Sequence, residues 1–234
     1  MNVAVLFDGA GLARLGLELA GHTCTGFELN PVAHHLSTMV GSGRCVLADV
    51  RDVDLSPYDA VWASPPCQRR SKIRTRGEPE SEFSEDLLEW ALAIDKPVLW
   101  VENVFSQYKE ENNWGIWWNA GQFDDRQNRN RIIGGRYPLP EVKRPYKKVF
   151  RYLCPAITAT EYKGGTDDNR RACRWYGDRL TVEECAYHMG FEIPSGWYKP
   201  MLGFTKWAWT CEMYRAIGNG VPVYMAEAFG KAAI

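Results

Sequence analysis

The stretch Ala60 to Ser71 reads A-V-W-A-S-P-P-C-Q-R-R-S. Its apolar run, Ala60 to Ala63, has the character of a short buried strand, and two prolines stop it abruptly. Pro65 and Pro66 cannot donate ladder hydrogen bonds and hold φ fixed, so the strand must end in a stiff turn. Cys67 follows at once, which presents a thiol at the carboxyl end of a strand. In open α/β sheets that edge is where ligands bind. Arg69, Arg70, Lys72, Arg74 and Arg76 crowd the next stretch. Positive charge favours a thiolate and attracts a polyanion. A buried cysteine after a rigid turn, beside a solvated run of charge, accounts for these residues equally well.

Outward from this strand the chain alternates strand and helix. Val3 to Phe7 is an apolar run of strand type, Asp8-Gly9-Ala10-Gly11 breaks it, and leucines at helical spacing lead to Gly21. A glycine turn between strand and helix lets a ligand approach backbone N–H groups, although the spacing here is not G-x-G-x-x-G. Thr23 to Glu28 reads as a second strand ending on a carboxylate, and Pro31 opens a helix running through about Met39. An acid about 20 positions beyond the glycine turn is where nucleotide-binding α/β folds place a ribose acceptor. Cys45 to Leu47 is a third strand, ending at Ala48-Asp49.

Downstream, Glu82 to Ile94 has helical spacing, and Val98 to Val101 is a fifth strand ending at Glu102-Asn103. A sixth passes through Ile116-Trp117-Trp118 and a seventh through Arg131-Ile132-Ile133. From Arg136 to about Trp175 periodicity fades into a loop-rich lobe. Helix resumes over Leu180 to Met189, with Thr181 and Glu184 spaced as a capping box. Gly218 to Gly220 makes a last turn before a helix from about Pro222. Strand after strand ending at a polar or glycine-containing terminus predicts a mostly parallel sheet with a ligand along one edge.

At 234 residues the chain can build one good core with a small lobe attached. The net charge of −1 means that the molecule as a whole does not steer toward nucleic acid, so any such binding rests on local basic patches. One follows Cys67; a second includes Lys143, Arg144, Lys147 and Lys148. The 7 cysteines form no CxxC pairs, so neither a metal site nor a disulfide framework is expected, and an odd count suits a reducing compartment. No signal peptide or bilayer-spanning stretch is evident, which predicts a soluble cytoplasmic protein, and the compactness of the chain suggests a bacterial or phage-infected cell.

Taken in order, these pieces resemble the cytosine-5 DNA methyltransferase family over nearly the whole chain. The family's F-x-G-x-G is F-D-G-A-G at Phe7 to Gly11, and its next strand ends are F-E-L-N at Phe27 to Asn30 and A-D-V-R-D-V at Ala48 to Val53. P-P-C-Q is Pro65 to Gln68, followed by the usual serine at Ser71. E-N-V is Glu102 to Val104, and Q-x-R-x-R is Gln127 to Arg131. The late pieces are D-R-L-T-V-E-E-C-A-Y-H-M-G-F, Asp178 to Phe191, and G-N-x-V-P at Gly218 to Pro222. Each is weak alone; their order makes the resemblance specific.

The resemblance implies a Rossmann-like methyltransferase with a mostly parallel seven-stranded sheet and a reduced target-recognition lobe. It divides the chain into a catalytic domain (1–136), a recognition lobe (137–204) and a returning segment (205–234). It implies methyl transfer from S-adenosylmethionine to carbon 5 of a cytosine flipped out of double-stranded DNA, by a monomer needing neither metal nor membrane. Cys67 would attack carbon 6 as a thiolate. Glu102 would donate or share a proton at ring nitrogen 3. Arg131, with Arg129 beside it, would hold the base carbonyl oxygen. Phe7, Gly9, Gly11, Leu29, Val50, Pro66 and Asn219 would line the cofactor. Glu28 would take the ribose hydroxyls and Asp49 the adenine amino group. Gln68, Arg69, Arg70, Ser71, Lys72, Arg74 and Arg76, with the second basic patch, would contact nucleic acid around the flipped base. The tRNA-acting branch shares nearly all these motifs, and a non-catalytic binding relative is the remaining alternative.

The chain departs from the family at several points. Val5 and Leu12 replace an acid and a glycine around the first motif, and Arg69-Arg70 replaces the usual small-or-proline and aromatic pair. The segment between Glu102 and Gln127 is short, and so is the recognition region between Arg136 and Arg179. A lobe that small presents few base-reading side chains, so most of the binding falls to phosphates. Bisulfite sequencing of treated DNA should therefore find modification at a site of a few base pairs or with loose specificity. Strict modification of a long site would overturn that expectation.

Overall fold

Val3 and Val5 point to one face of their strand while Ala4 and Leu6 point to the other, and all four are buried. A strand apolar on both faces belongs in the middle of a sheet with helices on each side. That is the architecture of the computed structural model, which describes residues 1–66, 83–105, 113–144, 153–159, 161 and 179–234. The strands are β1 (Asn2–Leu6), β2 (Thr23–Glu28), β3 (Cys45–Leu47), β4 (Ala60–Ala63), β5 (Val98–Val104), β6 (Ile116–Asn119) and β7 (Asn130–Arg136). The helices are α1 (Leu12–Leu19), α2 (Pro31–Ser37), α3 (Phe83–Leu92), α4 (Val182–Met189), α5 (Lys206–Asn219) and α6 (Val223–Ala232).

The seven strands form one sheet in the order β3-β2-β1-β4-β5-β7-β6. All pairs from β3 to β5 are parallel, while β7 runs antiparallel to both β5 and β6. The mostly parallel seven-stranded α/β sheet expected from the sequence is therefore present. Strand order reverses between β1 and β4, which opens a crevice at their carboxyl ends. Phe7 leaves one side of that crevice and Ser64-Pro65-Pro66 the other, with Ser64 N–H donating to Leu6 O at 3.2 Å.

Alternation along the strands separates two cores. Val3, Val5, Trp62 and Trp100 pack with Leu17 of α1 and with Met225 and Phe229 of α6. Ala4, Leu6, Val61, Leu99 and Val101 pack on the other face with Leu88 and Ala91 of α3. A third cluster joins Leu12 and Leu36 to Cys185 and Met189 of α4, Trp197, and Trp209 and Met213 of α5. Residues 180–197 thus pack directly on the elements around the glycine turn.

The capping box forms as expected: Glu184 N–H donates to Thr181 Oγ1 at 3.1 Å, and Thr181 N–H donates to Glu184 Oε2 at 2.7 Å. Helix α5 is not expected from the sequence pattern. Its buried Trp209, Met213 and Ile217 stand at i, i+4 and i+8, and Thr205 caps it through Ala208 N–H at 3.2 Å. Among the described residues no helix is long and apolar enough to cross a membrane.

Phe229 is fully buried, with ring contacts to Trp62, Trp118, Phe123 and Tyr137 at centroid distances of 5.3–6.1 Å. Phe229→Ala is expected to cost about 3–5 kcal/mol, measured as a fall in the urea midpoint.

Candidate active site

Parallel pairing of β4 with β5 sets Ala63 beside Val101, so the residues that follow, Ser64-Pro65-Pro66 and Glu102-Asn103, emerge side by side. Asn103 Nδ2 donates to Pro65 O at 3.1 Å, tying the proline turn to the end of β5. Asn103 is 2% exposed, and its amide satisfies a carbonyl that the ladder cannot reach. Pro65 is buried and Pro66 exposed. Cys67 lies outside the described residues, as do Gln68, Arg69, Arg70, Ser71, Lys72, Arg74, Arg76, Lys147 and Lys148.

β7 supplies the partner for Glu102. The antiparallel register sets Glu102 opposite Ile133 and Val104 opposite Arg131, so Glu102 and Arg131 lie diagonally on one face of the sheet. A diagonal gap of this kind is within reach of a long side chain. Arg131 Nε lies 2.6 Å from Glu102 Oε1, and both side chains are at most 10% exposed. Arg131 Nη1 also donates to Asn130 O at 2.8 Å. A carboxyl and a guanidinium are therefore held together in a desolvated position, next to the turn that leads into Cys67. Such a pair offers an acidic group and a fixed positive charge at one point of the strand edge.

Arg129 stands two residues away, just ahead of β7, and its guanidinium reaches backbone carbonyls elsewhere. It bonds Ile157 O, and its Nη2 donates to Gly218 O at 2.8 Å and Gly220 O at 2.9 Å. Its contacts thus tie β7 to the G-N-x-V-P turn at the end of α5. That turn in turn meets α1: a Cβ on Gly220 would fall 2.6 Å from Leu12 Cδ1. The sequence motifs consequently form one ring at the carboxyl edge of β1, β4 and β5. It runs from the glycine turn through the proline turn, Glu102, Arg131 and Arg129 to Asn219, which is exposed.

The residues expected to hold S-adenosylmethionine fit a ligand that lies along this edge. Phe7, Gly9 and Gly11 have φ of 57°, 58° and 82°. Phe7 is the one non-glycine residue at positive φ among the described residues, and the conformation costs about 1–3 kcal/mol. A Cβ on Gly9 would meet only Phe7 O, at 4.0 Å, so this face of the turn is open. Gly9 N–H donates to Glu28 Oε2 at 2.8 Å, and Asn30 N–H donates to Glu28 Oε1 at 2.7 Å. These bonds fix the Glu28 carboxylate while each oxygen keeps a second lone pair for a hydroxyl. Leu29 is 62% exposed beside it, an apolar surface suited to a flat ring.

Asp49 and Val50 stand differently. Asp49 accepts from Arg51 N–H and Nε, each at 3.0 Å, and from Arg51 Nη2 at 2.6 Å. Those hydrogen bonds draw its carboxyl down to about 2. Val50 is 4% exposed and packs in the core with Phe27 and Leu6. Of the second basic patch, Lys143 is exposed, while Arg144 Nη2 donates to Asp125 Oδ2 at 2.7 Å.

A feature that the sequence reading missed lies behind the glycine turn. Arg14, in α1, is fully buried and pairs with Asp8 at 3.1 Å. The signal available was an arginine inside the apolar spacing of α1. Burial raises the Asp8 carboxyl above its ordinary value, with Arg14 and Ser37 opposing the rise.

No protein-family model matches the sequence, and no curated protein matches it. Solved structures do. The Dnmt2 methyltransferase of S. pombe aligns with a TM-score of 0.61 at 17% identity, covering 98% of this chain and 97% of that one. The methyltransferase EhMeth of Entamoeba histolytica aligns at 0.62 and 15%, covering 100% and 97%. An E. coli prophage protein assigned as a DNA modification methyltransferase aligns at 0.63 and 18%, covering 99% and 98%. The fold is the Rossmann-like fold of these methyltransferases, shared over essentially the full length of both partners.

Arg129→Met should leave the carbonyls of Ile157, Gly218 and Gly220 without that donor, lowering stability by about 2–5 kcal/mol in urea unfolding. A loss of less than about 1 kcal/mol would contradict this reading of its bonds.

Proposed function

We propose that the chain is an S-adenosylmethionine-dependent DNA cytosine-5 methyltransferase. The observation that carries the reading is the buried Glu102–Arg131 pair, Nε to Oε1 2.6 Å, at the strand end that Asn103 ties to the proline turn before Cys67. A desolvated acid and cation at the strand end tied to the proline turn suit acid–base work on a bound ring, which weighs against a non-catalytic relative. The fold shared with methyltransferases supports the class of reaction, and one of them is assigned to DNA modification.

In the proposed reaction Cys67, as thiolate, adds to carbon 6 of a flipped cytosine and pushes electron density toward ring nitrogen 3. Glu102 meets that nitrogen with a proton, and Arg131 holds the adjacent carbonyl oxygen as negative charge builds. S-adenosylmethionine, bound along the glycine turn, supplies the methyl group that carbon 5 takes up. As carbon 5 is methylated the ring nitrogen 3 proton returns to Glu102, and loss of the carbon-5 proton to water or hydroxide then expels the Cys67 thiolate and restores the ring. Glu28 and the Gly9 N–H bonded to it shape the ribose end of the cofactor site, and Asn219 closes it from the C-terminal turn.

The test is covalent trapping on duplex DNA containing 5-fluorocytosine, whose carbon-5 substituent cannot leave as a proton. Wild type should form a denaturant-resistant adduct in the presence of cofactor, and Cys67→Ser should form none. Absence of an adduct from a protein that binds both DNA and cofactor would refute the mechanism. Methyl incorporation into tRNA rather than duplex DNA would move the substrate to RNA and leave the chemistry standing.

A further inference from the structure

The buried polar cluster behind the glycine turn takes no part in the reaction described above. Asp8 and Arg14 both have side chains at 0% exposure, and their partners lie on several elements. Asp8 Oδ2 accepts from Arg14 Nε at 3.1 Å and from Ser37 Oγ at 2.5 Å. Arg14 Nη2 donates to Ser37 O and Ser37 Oγ, each at 2.8 Å, and Nη1 donates to Val40 O at 3.1 Å. The glycine turn is thus bolted from behind to the end of α2 and the loop after it.

The main chain of Asp8 is held as tightly as its side chain. Its N–H donates to Phe27 O at 3.0 Å, and its carbonyl accepts from Gly11 N–H at 2.8 Å. β2 has made room for it: a Cβ on Gly26 would fall 2.3 Å from Asp8 Oδ2. Immediately before it stands Phe7, at φ 57°. A bulky residue persists in that region only where its surroundings over-determine the backbone, and such strain gathers at ligand sites. The residue that over-determines it is Asp8, fixed in both backbone and side chain. A buried ion pair is weak evidence of stabilisation, because its desolvation offsets most of the attraction. What this one supplies is geometry.

We infer that Asp8 and Arg14 are positioning residues for the cofactor: the buried pair holds the turn from Phe7 to Gly11, with Phe7, Gly9 and Gly11 at positive φ, in the shape that opens the Gly9 face to S-adenosylmethionine. The inference rests on the cofactor assignment proposed above. Neither residue touches the ligand. Both act through the turn, so their removal should weaken cofactor binding more than the chemical step.

Calorimetry with S-adenosylhomocysteine, alongside thermal melting and steady-state kinetics, tests this on the full chain. Asp8→Asn keeps the side-chain volume and removes the charge. It is expected to raise the Kd for S-adenosylhomocysteine and the KM for S-adenosylmethionine by about tenfold or more, with kcat within about threefold of wild type. The apolar pair Asp8→Leu with Arg14→Met removes both charges together, so melting should recover toward wild type while affinity stays weak. An affinity loss that disappears as melting recovers would reduce the pair to a structural role and overturn the inference. So would Asp8→Asn binding within about twofold of wild type. If wild type itself binds no S-adenosylhomocysteine, the cofactor assignment falls and takes this inference with it. If wild type binds and the variants bind alike, this inference alone falls.

Discussion

The antiparallel pairing of β7 against β5 is the constraint on which the site depends, because it decides which two buried charges meet. Parallel strands β1, β4 and β5 bring their carboxyl ends to one edge, but that arrangement alone leaves Glu102 without a counter-ion. A reversed strand on the far side of β5 sends Arg131 back toward the same edge, in the register that sets it diagonal to Glu102. The resulting contact at 2.6 Å is made where solvent is excluded, so neither charge is screened and neither could be buried there alone.

The other polar contacts of the site act as ties between elements distant in sequence. Asn103 joins the end of β5 to the proline turn, and Arg129 joins β7 to the last turn of the chain. Asp8 and Arg14 join the glycine turn to the end of α2. Each tie satisfies backbone carbonyls or a buried charge at an edge where the sheet ladder has run out of partners. Three arginines with different tasks therefore stand behind one crevice. Arg131 pairs with Glu102, Arg129 bonds the carbonyls of the Gly218–Gly220 turn, and Arg14 pairs with Asp8 behind the glycine turn.

The two faces of the sheet carry these ties because they are packed so differently from the edge. Trp62 and Trp100 fill one side against Phe229, and small or aliphatic side chains fill the other against α3. Strands buried on both faces resist sliding, since a shift by one residue would exchange the two sets of side chains. That rigidity lets a site made from several strand ends keep its spacing, with Phe7 alone among the described non-glycine residues held at positive φ.

Much of this was legible in the chain itself. Apolar runs closed by glycine, proline or a carboxylate located the strands, and the capping pair Thr181 and Glu184 located α4, because these are local effects of backbone chemistry. The order of short motifs pointed to a methyltransferase fold and singled out Glu102 and Arg131, which the sheet register brings into contact. Helix α5 was missed, since its aromatic-rich face looks like a loop until a core exists to receive Trp209 and Met213. The separate tasks of Arg129 and Arg131 and the burial of Asp8 with Arg14 were decided only by tertiary structure. Charge type and spacing along a strand say which face a side chain takes. Which carbonyl or carboxylate waits on that face depends on elements nearly a hundred residues away.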